Sequence, residues 1–163
     1  MLEADKRILK TLLSQPVAAL ATLHQGVPAV SMVPFALLSL GNNGNEKSAW
    51  VIHISRLASH TQDIQACPDV ALLVTAPPDL APTPLSTPRA SIQATAACCS
   101  VQSTEYAAAR SAYLARFPEA EELFSFSDFS LFILTPTAVR LVAGFGRAVS
   151  LNAEEFHSAF LSF

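Results

Sequence analysis

Apolar positions along the chain switch between two periods, and the switches mark the elements. Ile8, Leu9, Leu12 and Leu13 recur at helical spacing with charges between them, so residues 3 to 14 read as an amphipathic helix that Pro16 ends. Val17 to Leu23 reads as a buried strand, His24-Gln25-Gly26 as a turn, and Val27 to about Leu40 as a second strand. The polar run from Gly41 to Lys47 predicts a hairpin loop ahead of a short apolar strand, Ala49 to Ile54. From Ser55 the period turns helical. Leu57, Thr61 and Ile64 share a face, Ser55 or Ser59 can cap it, and Cys67-Pro68-Asp69 breaks it. Strands are expected at Val70 to Thr75 and Arg89 to Val101, separated by an extended surface loop, 77–88, that holds five prolines. Glu105 to Arg116 reads as a helix started by Ser103 or Thr104. Phe129 to Leu134 and Val139 to Ala143 read as two strands joined by a Thr-Pro-Thr turn. Asn152 and Glu155 have capping-box spacing for a last helix, Ala153 to Leu161.

About seven strands and four helices follow, with several hairpin-length connections, so antiparallel pairing is expected. Regular βαβ alternation is missing, and no Gly-rich phosphate fingerprint follows the first strand. The pattern predicts an α+β fold, a small, mainly antiparallel barrel with flanking helices, in one domain spanning 1–163.

Composition adds one point. Charged residues are 14% of the chain, against about 25% in an average soluble domain. A domain this small has much surface to cover, so part of it is expected to be buried against a second copy of the chain. Ten basic and thirteen acidic residues give a net charge of −3, which speaks against nucleic-acid binding. No apolar run approaches the ~20 residues of a membrane span, and the charged start lacks a signal peptide, so a cytoplasmic protein is expected. Cys67, Cys98 and Cys99 form no CxxC and read as reduced.

Several runs resemble a known family. Leu20 to Leu23, Pro28 to Phe35, Ile54 to Thr61, Pro88 to Ile92, Tyr113 to Ala120 and Val142 to Ala148 look, in this order, like the haem-utilisation (HugZ-like) branch of the pyridoxamine 5′-phosphate oxidase superfamily. The resemblance covers roughly residues 5 to 152. It implies a split β-barrel of about six to seven strands, paired as a homodimer, with FMN or haem held at the dimer interface.

The resemblance also implies site residues. Ser55 and Arg56 match the position that contacts the FMN phosphate, with His60 and Thr61 one turn on. A phosphate calls for such a guanidinium, hydroxyls and free helix N–H groups. Ser31, Met32 and Val33 match the strand that passes the flavin ring. Arg89 and Gln93, four residues apart on one strand face, match a basic or amide position near phosphate or ring. Arg147, after Gly144-Phe145-Gly146, is the candidate for holding haem. The bland reading of these residues is a capping Ser, solvated arginines and a barrel-closing turn with Arg147 in an ion pair.

His24, His53, His60 and His157 lack metal-ligand spacing, and no nucleophilic triad is visible, so catalytic residues stay unassigned. The leading expectation is an FMN-binding oxidoreductase acting on an unknown small substrate. The alternatives are a haem-binding or haem-degrading protein and a cofactor-free dimeric module. Oxidation of pyridoxamine phosphate itself is not expected, because no Lys or Arg follows Arg147 to hold a substrate phosphate.

Overall fold

The computed structural model describes residues 1–41 and 47–160, so most of the predicted 41–47 hairpin loop and the end of the last helix lie outside the described residues. The elements are α1 (Glu3–Leu13), β1 (Val17–His24), β2 (Val27–Pro34), β3 (Ala36–Leu40), β4 (Lys47–Ser55), α2 (Ser59–Ala66), β5 (Asp69–Thr75), β6 (Arg89–Cys99), α3 (Tyr106–Arg116), β7 (Phe129–Gly144), β8 (Arg147–Asn152) and α4 (Ala153–Phe160). The α+β class and the antiparallel sheet expected from the sequence are both present.

The sheet runs β2-β1-β5-β6-β7-β4-β3, with β8 paired to the far half of β7. Every pairing is antiparallel. The two ends of this order, β2 and β3, are consecutive in the chain and separated only by Phe35. The sheet therefore curls round and is joined at its ends by covalent backbone rather than by a hydrogen-bonded ladder. This corrects the single strand expected over 27–40. Pro34 has no N–H to give, and the Phe35 N–H turns aside to Pro16 O at 3.3 Å. Phe35 then drops into the barrel and stacks on Trp50, with centroids 4.3 Å apart.

Strand β4 is buried on both faces, which is why it reads as an unbroken apolar run. Trp50, Ile52 and Ile54 point into the barrel with Leu20, Leu72, Ile92, Phe132 and Leu134. Ala49 and Val51 point the other way, into a second cluster closed by Ala109 and Tyr113 of α3. Arg116, the last residue of α3, donates to Leu13 O at 3.1 Å and to Gln15 O. Its guanidinium lies 4.7 Å from the Phe35 ring centre. It thus caps the C-terminus of α1 and ties three elements together.

Two further expectations are corrected. Residues 129–144 form one long strand, not two. The register against β6 shifts between Gln93 and Ala94, which leaves Thr137 as an extra residue on β7. The Thr-Pro-Thr segment is thus a bulge and not a turn. Pro136 is tolerated there because β4 has already left β7 at Leu134. Gly144 to Gly146 makes the tight connection to β8, with Gly146 at φ 71°. The capping box is present: Asn152 N–H donates to Glu155 Oε2 and Glu155 N–H to Asn152 Oδ1, both at 2.9 Å.

The outer face of the sheet, covered by α3 at β3 and β4, carries no helix among the described residues at its other end. Across β2, β1 and β5 its outward positions include Val30, Met32, Ala19, Ala21, Ala71 and Leu73, in register with one another. Val30 is 72% and Met32 65% exposed. No charged residue interrupts these rows until Arg140 on β7. This patch is where the shortage of charge foreseen from composition becomes visible.

Candidate functional site

The segment from Ser55 to Thr61 carries the chain from β4 into α2. Ala58 occupies the N-cap of α2 without a side-chain cap, so neither Ser55 nor Ser59 caps the helix as expected. The donors foreseen for a phosphate are engaged elsewhere. Ser55 Oγ donates to Asp128 Oδ2 at 2.6 Å and accepts from the Leu57 N–H at 3.1 Å. The Arg56 backbone N–H donates to Asp128 O at 2.6 Å, and its guanidinium donates to Ser127 O. Thr61 is buried and its Oγ1 donates to Ser55 O at 2.6 Å. Together these groups latch the end of β4 to the loop before β7. A carboxylate, Asp128, stands among them, and its charge would oppose a phosphate at the same spot.

Ser31 and His60 do come together: His60 Nδ1 lies 3.2 Å from Ser31 Oγ. Their neighbours on β2 separate by strand alternation, Val33 into the core and Met32 onto the open apolar face. Gln93 is exposed on the outward face of β6. Arg89 begins that strand, donating to Thr87 O at 3.1 Å and weakly to Leu85 O at 3.5 Å. The charge of Arg56 is felt by the Cys98 thiol at the opposite end of β6. Ser55 pairs with Phe129 near the end of β7 that pairs Cys99, so Arg56 and Arg89 lie towards opposite ends of β6 within one protomer. Arg147 Nη2 stands 2.9 Å from Asp5 Oδ1, a charge contact without good hydrogen-bond alignment, and Asp5 is buried. The other Asp5 oxygen accepts from the Leu2 N–H at 3.2 Å, so the pair joins β8 to the start of α1.

A second cluster on α2 was not read from the sequence. Asp63 is 5% exposed, and both its oxygens are engaged from β1: Oδ2 accepts from Thr22 Oγ1 at 2.9 Å, and Oδ1 lies 2.7 Å from His24 Nδ1. Burial pushes the Asp63 carboxyl up. The hydrogen bonds from His24 and Thr22, with the nearby charges of His24 and His60, outweigh it and hold the carboxyl below its ordinary range. Burial lowers the His60 imidazole, with Asp63 pulling the other way. His24 and Asp63 are 39 residues apart, so spacing gave no sign of them. His24 lines a cleft of about 500 Å³ with Gln25, Val27, Pro28, Ala29 and Ser59, the first residue of α2. One wall is apolar, one corner is an imidazole backed by a buried carboxylate, and Ser59 brings the first turn of α2 to the opening.

His53 lies outside this region. It is stacked on Phe124 with centroids 3.9 Å apart and also meets Phe129 and Tyr113. Burial pushes it down to about 4. It is buried, and its Nδ1 has no hydrogen-bond partner among the described residues. Those residues also contain no cluster of His, Cys, Asp and Glu able to hold a metal ion by itself.

The profile of a family described as CREG, beta-barrel matches residues 6–158. The non-canonical haem oxygenase HOZ, chloroplastic, of Arabidopsis thaliana is 32% identical over 142 residues, which is 83% of this chain but only 39% of that protein. A haem-binding protein from Mycobacterium smegmatis superposes with a TM-score of 0.81 at 30% identity, over 97% of this chain and 61% of that one. HutZ, the haem storage protein from Vibrio cholerae, superposes with a TM-score of 0.67 at 24% identity over 83% of this chain and 91% of its own, a likeness of fold alone. The chain spans 39% of the first of these relatives and 61% of the second, less than two thirds of each.

Proposed function

The chain belongs to the CREG β-barrel family, and from that premise we propose that it is a haem-binding protein rather than an FMN-dependent oxidoreductase. The observation that carries this is the agreement of two relatives at 30% identity or above, over 83% and 97% of the chain, each described by haem chemistry. Binding is what those descriptions share; turnover is not.

The donor set fits. Haem needs an apolar wall, a nitrogen ligand and something to receive its carboxylates. The cleft at the β1–β2 hairpin offers Val27, Pro28 and Ala29, the imidazole of His24, and the uncapped first turn of α2 at Ser59. FMN needs a phosphate cradle, and the Ser55-Arg56 donors are engaged by Ser127 and Asp128. Bound haem would supply a redox-active iron and a macrocycle able to activate oxygen. The chain would bind and orient it, and exclude water with the apolar wall. A second copy packed on the exposed Val30 and Met32 face would complete the enclosure, as the family resemblance implies.

Adding haemin to the purified protein should give a saturable Soret band shifted from that of free haemin, whereas FMN should dialyse away. Retention of FMN with no haemin uptake would reverse the assignment.

A further inference from the structure

We propose that His24 ligates the haem iron through Nε2 and that Asp63 is the residue that orients and strengthens it. This rests on the haem reading above and goes beyond it by naming the ligand.

The geometry points to this imidazole in three ways. First, Nδ1 faces a carboxylate at 2.7 Å, and a carboxylate there accepts. Nδ1 therefore carries the proton of this bond, so Nε2 is the ring nitrogen left to face a ligand, and in the neutral ring it holds the lone pair. Metal-bound histidines are characteristically held in this way, with the second nitrogen donating to a carboxylate or carbonyl. Second, the support is rigid. Asp63 is buried, its other oxygen is held by Thr22, and α2 packs on β1 along this contact. A half-exposed histidine on a hairpin would otherwise sample many orientations. Third, Nε2 has no hydrogen-bond partner among the described residues, and the ring lines a cleft whose other wall is apolar.

The other histidines are less suited. His60 is near Asp63, but its Nδ1 meets the hydroxyl of Ser31, a weaker acceptor, at 3.2 Å. His53 is enclosed by Phe124, Phe129 and Tyr113, with no room for a macrocycle. His157 Nδ1 meets the hydroxyl of Ser48, a weaker acceptor than a carboxylate, at 2.8 Å.

An Asp–His–iron arrangement gives the imidazole partial imidazolate character. It strengthens the iron–nitrogen bond and stabilises the ferric state. The bland alternative is that the pair only staples α2 to the β1–β2 hairpin. The two differ in the spectrum of the bound haem.

The test uses the full chain reconstituted with haemin, reduced and read by resonance Raman and absorption, with His157→Ala as control. Wild type and control should show an iron–histidine stretch. His24→Ala should lose it and shift its Soret band, and free imidazole should restore both. Asp63→Asn should keep the ligand but show a lower-frequency stretch and a more positive midpoint potential. A His24→Ala spectrum identical to wild type would overturn the assignment of the ligand while leaving haem binding intact. A wild-type protein that takes up no haemin would remove the haem reading and this inference together. Thermal unfolding of each variant separates a folding defect from a lost ligand.

Discussion

Replacing Met32 by Asp is expected to convert a dimer into a folded monomer. Met32 stands on the part of the outer sheet face that no helix covers, in register with Ala19 and Leu73 and beside Val30. It is 65% exposed in the single chain, so a carboxylate there costs the isolated protomer little. At a two-fold interface the same residue occurs twice, and each buried, unpaired carboxylate costs on the order of 3 kcal/mol. Two of them would raise the dimer dissociation constant on the order of ten-thousand-fold. Light scattering across a dilution series reads this directly. A wild-type chain that is monomeric at micromolar concentration, or a Met32→Asp variant that stays dimeric, would show that the apolar face serves something else.

The unfolding free energy is expected to fall as the pH drops from about 6.5 towards 4, and His53→Phe should flatten that slope. His53 goes from an ordinary value of 6.5 to about 4 on folding because burial among aromatic rings penalises its charge. Between those values the unfolded chain binds a proton that the folded chain refuses, so stability rises with pH. The penalty is absent above the unfolded value and complete below the folded one, and it amounts to at most about 3 kcal/mol. His60, also lowered by burial, adds to the slope in the same direction. The comparison is therefore between wild type and His53→Phe, whose ring can keep the stack on Phe124. Denaturant unfolding at several pH values measures it. Equal slopes in the two proteins would show that His53 is not the group responsible.

Much of the fold was legible in the sequence because its elements are strongly patterned. α1 and β4 announce themselves, one by amphipathic spacing and one by an apolar run that is buried on both faces. What escaped was geometry decided by partners. Pro136 looked like a turn because a proline inside a strand is normally excluded; only the departure of β4 at Leu134 makes it harmless. Phe35 looked like strand because nothing local shows that its N–H belongs to Pro16.

The site was less legible. Ser31 and His60 were picked out from different segments, and they do meet. Ser55 and Arg56 have the composition of a phosphate cradle, but Asp128, seventy-three residues away from Ser55, takes the hydroxyl. Arg147 follows a motif that suggested a ligand, and Asp5 at the other end of the chain stands against it. His24 was read as a turn residue because its partner, Asp63, arrives only when α2 packs on β1. In each case the residue type was visible and the partner that decides its role was not. Long-range contacts are where local sequence carries least.

The most direct measurement is native mass spectrometry of the protein mixed with equimolar haemin and FMN. Haem adducts on a dimeric species, with FMN left free, are the predicted result. FMN adducts, or a protein that carries neither cofactor, would contradict it.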